Sequence, residues 1–151
     1  PKGVKPKLAV NHMDIFSTVA AATGAKLPSD RPIDGIDLLP QIGKPADKGP
    51  DRALFWRTDT YRVMRKGDWK LQVTQNPKKD WLYNMAIDPT EKNNLALKEP
   101  ERLASMKKEL EAFNATQVKP SWPSMAEAAI AIDKNLRQPM VPSDEFVYYA
   151  N

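Results

Sequence analysis

Residues 53–84, ALFWRTDTYRVMRKGDWKLQVTQNPKKDWLYN, decide the fold of this chain. Apolar and polar residues alternate along short runs of this stretch, which is the pattern of half-buried β-strands. Gly67 lies between two of the runs and supplies the turn of a hairpin, and the polar residues 75–80 are predicted to form a loop. Four neighbouring strands indicate an antiparallel sheet, and they are predicted at residues 53–57, 61–65, 69–73 and 81–84.

The strongest helical pattern follows this sheet, in PERLASMKKELEAF at residues 100–113. Its apolar residues recur at intervals of three and four, which places them on one face of a helix; they are Leu103, Met106, Leu110 and Phe113. The apolar face of the sheet is the evident partner for this helix face. The sequence therefore predicts an α+β fold in which one long helix packs on a small four-stranded antiparallel sheet.

A second helical pattern lies near the start of the sequence, in residues 11–22. Asn11 is a suitable N-cap, Asp14 favours the positive end of the helix, and Gly24 is placed to end it. The apolar residues of this segment predict burial of a wide face, and they are Met13, Ile15, Phe16, Val19, Ala20 and Ala22. Residues 27–50 then carry five Pro and three Gly, which predict an irregular connection with one helical turn at residues 37–41.

The rest of the sequence has weaker patterns. Residues 125–132 form a short apolar stretch, and residues 145–149 read as a strand that needs a pairing partner. Across 151 residues there are 14 Pro and only 6 Gly, a bias that favours many short elements joined by stiff connections.

The composition excludes several classes of function. The 23 basic and 19 acidic residues are interspersed along the chain, whereas a nucleic-acid-binding face clusters its basic residues, so no nucleic-acid partner is expected. No apolar run approaches the roughly 20 residues of a membrane span. The absence of Cys removes disulfides and thiol nucleophiles, and one His leaves no imidazole cluster for a metal. Glycine-rich phosphate loops and the GxSxG nucleophile motif are absent from the sequence as well.

Two small sets of residues have a chemical and a structural interpretation. His12 is the one imidazole available for catalysis, but its place in the first turn of an apolar helix favours a structural role. Asp34 and Asp37 are too few carboxylates for a Ca²⁺ site, and their spacing favours a turn followed by a helix cap at Asp37.

Asp88 and Glu91 form a third set, which reads either as a catalytic carboxylate pair or as a turn. The turn is favoured because Asp88 can bond backbone N–H groups two residues on, and because Pro89 fixes the next backbone angle. We therefore expect Asp88, Pro89 and Glu91 to be structural residues, together with Gly67 in the hairpin.

Three tryptophans fall on predicted strands, at Trp56, Trp69 and Trp81. With Arg57 and Arg62 they could form an aromatic and basic platform for a sugar or an anionic ligand. Aromatic residues that alternate along strands more often belong to the core, so burial is the favoured interpretation.

Six stretches occur in a set order along the chain, namely NHMDIFSTVAAATG (11–24), IDGIDLLP (33–40), ALFWR (53–57), VMRKGDWKL (63–71), WLYNMAIDPTEKNNL (81–95) and PERLASMKKELEAF (100–113). Their succession resembles the C-terminal part of arylsulfatase-type sulfatases. The string LYNMAIDPTEKNNL is similar to the family pattern LYDLxxDPxExxNL, with Asn84 in place of Asp and Met85 in place of Leu. The ending IDKNLRQPMVPSDEFVYYAN is similar to a tail found in some bacterial arylsulfatases.

The resemblance implies a parent enzyme that hydrolyses sulfate esters. Sulfatases use a formylglycine made from Cys or Ser in a CxPxR or SxPxR motif, and a Ca²⁺ ion held by Asp and Asn side chains. Neither motif occurs in this chain, and the nearest approach, Ser121 with Pro123, has Met125 in place of Arg. The family's metal ligands and catalytic residues belong to segments ahead of residue 1. No catalytic residue, metal ligand or cofactor is therefore assigned to this chain.

The resemblance also implies an organisation. Residues 1–50 resemble the last helix, at 11–23, and the exit loop of a larger α/β sulfatase domain. Residues 51–120 resemble the C-terminal sheet-and-helix subdomain, and residues 121–151 resemble a tail that returns to the large domain.

The expected role of such a chain is scaffold and part of the rim of the substrate cleft, for which the candidates are Arg57, Asp59 and Arg62. Its expected partner is the N-terminal catalytic sulfatase domain, and without that domain we expect an inactive, self-associating chain. The family resemblance agrees with a periplasmic or extracellular location. The alternative is a non-enzymatic module that binds sulfated sugars or other anions.

Overall fold

The computed structural model describes residues 3, 7–42, 44, 49–58, 61–75, 78–119, 121, 130–131, 137–139, 141 and 143–147. The chain divides into two compact units, Pro1–Arg52 and Ala53–Asn151.

The first unit contains one α-helix among its described residues, α1 at Met13–Thr23. His12 flanks the helix but makes no side-chain cap bond, and the cap comes from Asn11 as predicted, since its Oδ1 accepts the Met13 N–H over 3.4 Å. The Asn11 backbone N–H donates in return to Oδ2 of Asp14 over 2.7 Å, because that carboxylate turns back over the helix start. Gly24 ends the helix with a φ of 70°, as predicted, since glycine adopts this left-handed conformation without a Cβ clash.

The predicted burial of the apolar face of α1 is wrong. Ile15, Phe16 and Val19 are between 54% and 62% exposed, whereas the buried residues of the helix are Asp14, Ser17 and Ala20. Segment 33–38 bonds to this polar side instead. The Ser17 hydroxyl donates to the carbonyl oxygen of Gly35 over 2.9 Å. Gly35 permits the approach, because a Cβ there would lie 2.1 Å from the carbonyl oxygen of Met13.

The second unit is built on a four-stranded sheet, with β1 at Ala53–Thr58, β2 at Tyr61–Lys66, β3 at Trp69–Gln75 and β4 at Lys78–Asn84. The strands lie in chain order, and each is antiparallel to the next. The register aligns one row of apolar residues across the sheet, Phe55, Met64, Leu71 and Leu82. Because side chains alternate between faces, a second set lies on the opposite side, here termed the open face; it includes Leu54, Trp56, Tyr61, Val63, Arg65, Lys70, Gln72, Trp81 and Tyr83.

Helix α2, at Pro100–Ala115, packs on the side of the apolar row. Met106 and Leu110 of this helix are buried against Met64, Leu71 and Leu82. At one end of the interface the rings of Phe55 and Phe113 stack with centroids 3.9 Å apart. The predicted α+β fold is confirmed, with the helix stripe and the sheet face that the periodicity indicated.

The β2–β3 and β3–β4 hairpins differ in how well their turns were predicted. Gly67 lies between the paired residues Lys66 and Trp69 with a φ of 55°. The predicted loop at residues 75–80 is too long, because Gln75 already pairs with Lys78 and β4 begins there. The polar start of β4 reads as a loop in sequence because charged side chains are common on edge strands.

Two short strands pair in the tail, β5 at Ile130–Ala131 and β6 at Phe146–Val147. The strand predicted at residues 145–149 thus has a partner over its described part, while Tyr148 and Tyr149 lie outside the described residues. Among the described helices, none has both the length and the apolar character needed to cross a membrane.

Candidate functional site

A turn after β4 positions one carboxylate over the open face. The Glu91 N–H donates to the carbonyl oxygen of Asp88 over 3.2 Å, which closes the turn at Pro89 and Thr90. The Asp88 carboxylate accepts the backbone N–H groups of Asn93 at 2.7 Å and Lys92 at 3.1 Å. These two bonds lower the pKa of Asp88 below its usual range. The Asp88 carboxylate therefore stabilises the turn, which is the structural role that the sequence predicted.

Glu91 is the one non-glycine residue at positive φ among the described residues, with a φ of 58°. Its carboxylate accepts hydrogen bonds from Lys70 at 2.6 Å and from Gln72 at 2.5 Å. Gln72 in turn accepts a bond from the Tyr61 hydroxyl over 2.7 Å. The turn therefore ends in a connected polar row that crosses β3 and β2 on the open face.

A cleft of about 440 Å³ lies beside this row. Its walls combine aromatic, apolar and charged side chains, and the lining residues are Trp56, Arg57, Thr58, Tyr61, Val63, Arg65, Lys70, Met85 and Glu91. Small-molecule sites in proteins are mostly apolar clefts of roughly 300–1,000 Å³ with a few placed polar groups. Trp56, one of the lining residues, is 41% exposed and offers an aromatic surface to a ligand.

The charge in the cleft is unevenly compensated. Arg65 and Lys70 are directly paired residues on β2 and β3, a position in which like charges repel. Glu91 neutralises Lys70, whereas Arg65 has no carboxylate partner among the described residues, and its Nε is buried without a hydrogen bond. Arg57 donates to the carbonyl oxygen of Val118 over 2.8 Å. The cleft thus holds three cations and one carboxylate.

The other end of the open face is covered by the tail. Trp81 is buried, and its indole N–H donates to the Glu145 carboxylate. Lys79 donates to the carbonyl oxygen of Asp144 over 2.9 Å and pairs with Glu145 at 3.3 Å. Burial, reinforced by the negative charges of Glu145 and Glu91, raises the pKa of the neighbouring Tyr83 phenol. This end is closed, so the accessible part of the open face is the end near Trp56.

The three tryptophans do not form one platform. Trp56 and Trp81 lie on the open face, but Trp81 is buried. Trp69 packs against the helix side, where the Arg102 guanidinium lies 4.2 Å from its ring centroid. The core interpretation therefore holds for Trp81, which is buried, and for Trp69, which packs against the core cluster; of the three, Trp56 is the exposed one.

Two of the three rim candidates, Arg57 and Arg62, lie at the end of the hairpin formed by β1 and β2. They are directly paired residues, and Arg62 binds Glu111 of α2 at 2.9 Å. The third candidate, Asp59, lies outside the described residues.

The first unit contains a buried ion pair that the sequence did not reveal. Asp14 is fully buried, and its two carboxylate oxygens accept bonds from the Arg52 guanidinium at 2.7 and 2.6 Å. The backbone N–H of Ile36 adds a bond of 3.0 Å. The guanidinium outweighs the effect of burial and holds the pKa of Asp14 well below its usual range.

The other first-unit residues considered for catalysis or metal binding include His12 and Asp37, and their surroundings favour structural roles. His12 is exposed at the start of α1. The Asp37 carboxylate accepts the Leu39 N–H over 2.9 Å, immediately before a one-turn 3-10 helix at Leu39–Gln41. Within the described part of the chain, no three His, Asp or Glu side chains lie close enough together to hold a metal ion.

Sequence reasoning missed Arg65, Lys70 and Glu91 as members of one site. Strand alternation places Arg65 on the face of Tyr61 and Val63, and this much was readable from the sequence. The position of Glu91 was not, because it depends on a turn with an unusual backbone angle at a residue that is not glycine.

The comparison with curated proteins finds sulfatases. Mouse steryl-sulfatase is 45% identical over 49 residues, which are 32% of this chain and 8% of that protein. Mouse N-acetylgalactosamine-6-sulfatase is 42% identical over 62 residues, which are 40% of this chain and 12% of that protein. The matched region is therefore a small part of these relatives. No protein-family model matches the chain.

Solved structures share the fold. Ps i-CgsB, crystallised with k-i-k-neocarrahexaose, matches with a TM-score of 0.61 and 24% identity, over 73% of this chain and 25% of that one. A 2-O GAG sulfatase matches with a TM-score of 0.52 and 24% identity, over 68% of this chain and 24% of that one. In sequence and in fold, the chain is similar to the C-terminal region of sulfatases, which confirms the predicted resemblance.

Proposed function

We propose that this chain acts as the C-terminal part of a sulfuric ester hydrolase and supplies scaffold and part of the cleft rim to an N-terminal catalytic domain. The observation that carries the proposal is the partial match, in which the chain aligns with only 8% and 12% of two sulfatases. In this proposal residues 1–50 belong to the large domain, residues 51–120 form the subdomain, and residues 121–151 return to the large domain.

The residues of the chain support a role in which hydrolysis depends on a separate catalytic domain. Sulfatases act through formylglycine, and the chain lacks both precursor motifs, CxPxR and SxPxR. Ca²⁺ prefers six to eight oxygen ligands, and the described residues do not fit such a site, since they offer no cluster of acidic side chains. We assign the formylglycine and the Ca²⁺ site to the N-terminal domain, and we assign no step of the hydrolysis to this chain.

Two observations support contacts with a larger domain. The apolar side chains of α1 are exposed, with Phe16 at 54%, and a contiguous apolar patch of this kind is typical of an interaction surface. Arg57, Asp59 and Arg62 are proposed as rim residues, with the support that Arg57 and Arg62 pair at one end of a hairpin and that Arg57 is exposed there.

The test is an assay of aryl sulfate hydrolysis with Ca²⁺ present. The purified chain alone should be inactive. Co-expression with the region encoded upstream of residue 1, which should contain a formylglycine motif, should restore hydrolysis. Turnover by the chain alone that a chelator abolishes would refute the proposal.

A non-enzymatic module that binds sulfated sugars or other anions is the second candidate. The cleft with Trp56 and the uncompensated Arg65 favours it. The two candidates differ in one cheap observation, because a sulfatase requires a CxPxR or SxPxR motif in the upstream coding sequence and a separate module requires none.

A further inference from the structure

The geometry points to the cleft beside Trp56 as a binding site for a sugar ring that carries an oxyanion, with Arg65 as the partner of the anion and Trp56 as the stacking surface. Only the choice of sulfate as the anion rests on the proposed function. The contacts of the ligand with Trp56 and Arg65 are inferred from the positions of these two residues on the open face.

The first step is the state of Arg65. Arg52 and Arg62 also have a buried Nε without a hydrogen bond, but each binds a carboxylate through its terminal nitrogens. Arg65 has no such carboxylate among the described residues. A guanidinium left without an acidic partner in a half-buried cleft is an unfilled site for a planar or tetrahedral oxyanion, which it binds through charge-assisted hydrogen bonds.

The second step is the position of Lys70. It lies directly opposite Arg65, and its pairing with Glu91 at 2.6 Å both offsets its charge and fixes where its ammonium lies, so the uncompensated charge of the cleft belongs to Arg65. Glu91 is in turn fixed by Gln72. The Lys70 ammonium beside Arg65 is therefore preorganised, and an incoming anion does not have to order it.

The third step is the spacing of the ring surface and the cation. Trp56 pairs with Val63 across the two strands, which makes Arg65 its diagonal neighbour on the same face. Diagonal neighbours are roughly 7–8 Å apart, a separation that one pyranose ring with an oxyanion substituent spans. Val63 is buried beneath this position and gives the cleft an apolar floor.

The chemistry distinguishes this ligand from a free anion and from a neutral sugar. Inorganic sulfate engages Arg65 but leaves the Trp56 surface uncovered, whereas galactose covers Trp56 but leaves the guanidinium unpaired. Galactose 6-sulfate engages both. Glucuronic acid offers a carboxylate in place of the sulfate and separates a general oxyanion site from one that prefers sulfate.

The experiment is an NMR titration of the full chain with these four compounds, followed at the indole N–H of Trp56 and the Nε–H of Arg65. Galactose 6-sulfate should shift both signals in a saturable manner and bind at least about tenfold more tightly than galactose or inorganic sulfate. Arg65→Gln should weaken its binding about tenfold or more, and Trp56→Ala should abolish the advantage over inorganic sulfate.

The matched control is Arg31→Gln, which removes the same charge from an exposed arginine paired with its neighbour Asp30 and should leave binding unchanged. Circular dichroism verifies the fold of each variant. The inference is overturned if the chain shows no saturable shift at about 10 mM sugar sulfate, or if a folded Arg65→Gln variant binds as the unmodified chain does. Failure of the hydrolysis assay with the upstream domain would refute the proposed function and leave this result unaffected.

Discussion

Replacing Arg52 by Gln tests whether a buried ion pair holds the first unit together. Asp14 accepts four hydrogen bonds, two from the Arg52 guanidinium and two from the backbone N–H groups of Asn11 and Ile36. Arg52→Gln removes the cation and leaves a fully buried carboxylate with its backbone bonds alone. Breaking a buried pair from one side costs about 3–5 kcal/mol, because the remaining charge stays away from water without compensation.

The measurement is native-state hydrogen exchange of the α1 amides, since Trp56, Trp69, Trp81 and Trp122 all lie in the second unit and tryptophan fluorescence reports that unit only. At tenfold per 1.4 kcal/mol, the expected loss of protection is about 140- to 3,700-fold. Arg31→Gln is the control, because both partners of its pair are about two thirds exposed and such pairs contribute about 0–1 kcal/mol. Equal protection in the two variants would refute the reasoning.

The pH dependence of stability is a second test of the Asp14–Arg52 pair. The pKa of Asp14 is lower in the folded chain than its usual value of 3.8, so the folded state binds fewer protons than the unfolded state. The stabilisation is complete above the unfolded pKa and is lost as pH falls from there towards the folded pKa. Protection of α1 in the unmodified chain should therefore fall below about pH 4, and in Asp14→Asn it should be less dependent on pH in that range.

Three further predictions concern the sheet and the exposed helix. Gly67→Val should lower the free energy of unfolding by about 1–3 kcal/mol through backbone strain alone, since a Cβ at this glycine meets no atom within 4 Å; an unchanged urea midpoint would contradict the turn. Leu110→Ala should cost about 2–5 kcal/mol in urea unfolding followed by tryptophan fluorescence, whereas Leu97→Ala, at a 97% exposed site, should cost almost nothing. The isolated chain should form dimers or larger species through Ile15, Phe16 and Val19, because burying apolar surface gains about 25 cal/mol per Å²; light scattering that shows a 17.0 kDa monomer at tens of micromolar would contradict this.

Much of the second unit was predictable, because the alternation along the strands and the three-and-four spacing along α2 each define one apolar face, and the two faces pack together. The strand pattern and the helix pattern each predicted one apolar face, and Leu71, Leu82 and Leu110 meet where those faces meet. The start of β4 was not predictable, since the side chains of Lys78 and Lys79 extend from an edge strand and give it the polarity of a loop.

The first unit was predicted less well for a different physical reason. Periodicity assumes that apolar residues face the core, but in α1 the buried residues include Asp14 and Ser17, which are satisfied by hydrogen bonds to distant parts of the chain. The partners of such bonds, Arg52 and Gly35, lie 38 and 18 residues away in sequence, and no local pattern encodes that separation. The Lys70–Glu91 pair of the cleft was unpredictable for the same reason, because a turn brings together two residues that are distant in sequence.

The proposed binding residues Trp56 and Arg65 lie outside the contacts that hold α2 on the sheet. Ion pairs surround the helix side, including Arg62 with Glu111, Lys66 with Glu109 and Lys107 with Asp80. These pairs are partly exposed and contribute about 0–1 kcal/mol each, so α2 is held chiefly by its apolar contacts. Trp56 and Arg65 take no part in that core, and within the described part of the chain Arg65 forms no ion pair that its replacement would break. Their replacement should therefore change ligand binding with little loss of stability, so these two positions can acquire a binding specificity without altering the fold that supports them.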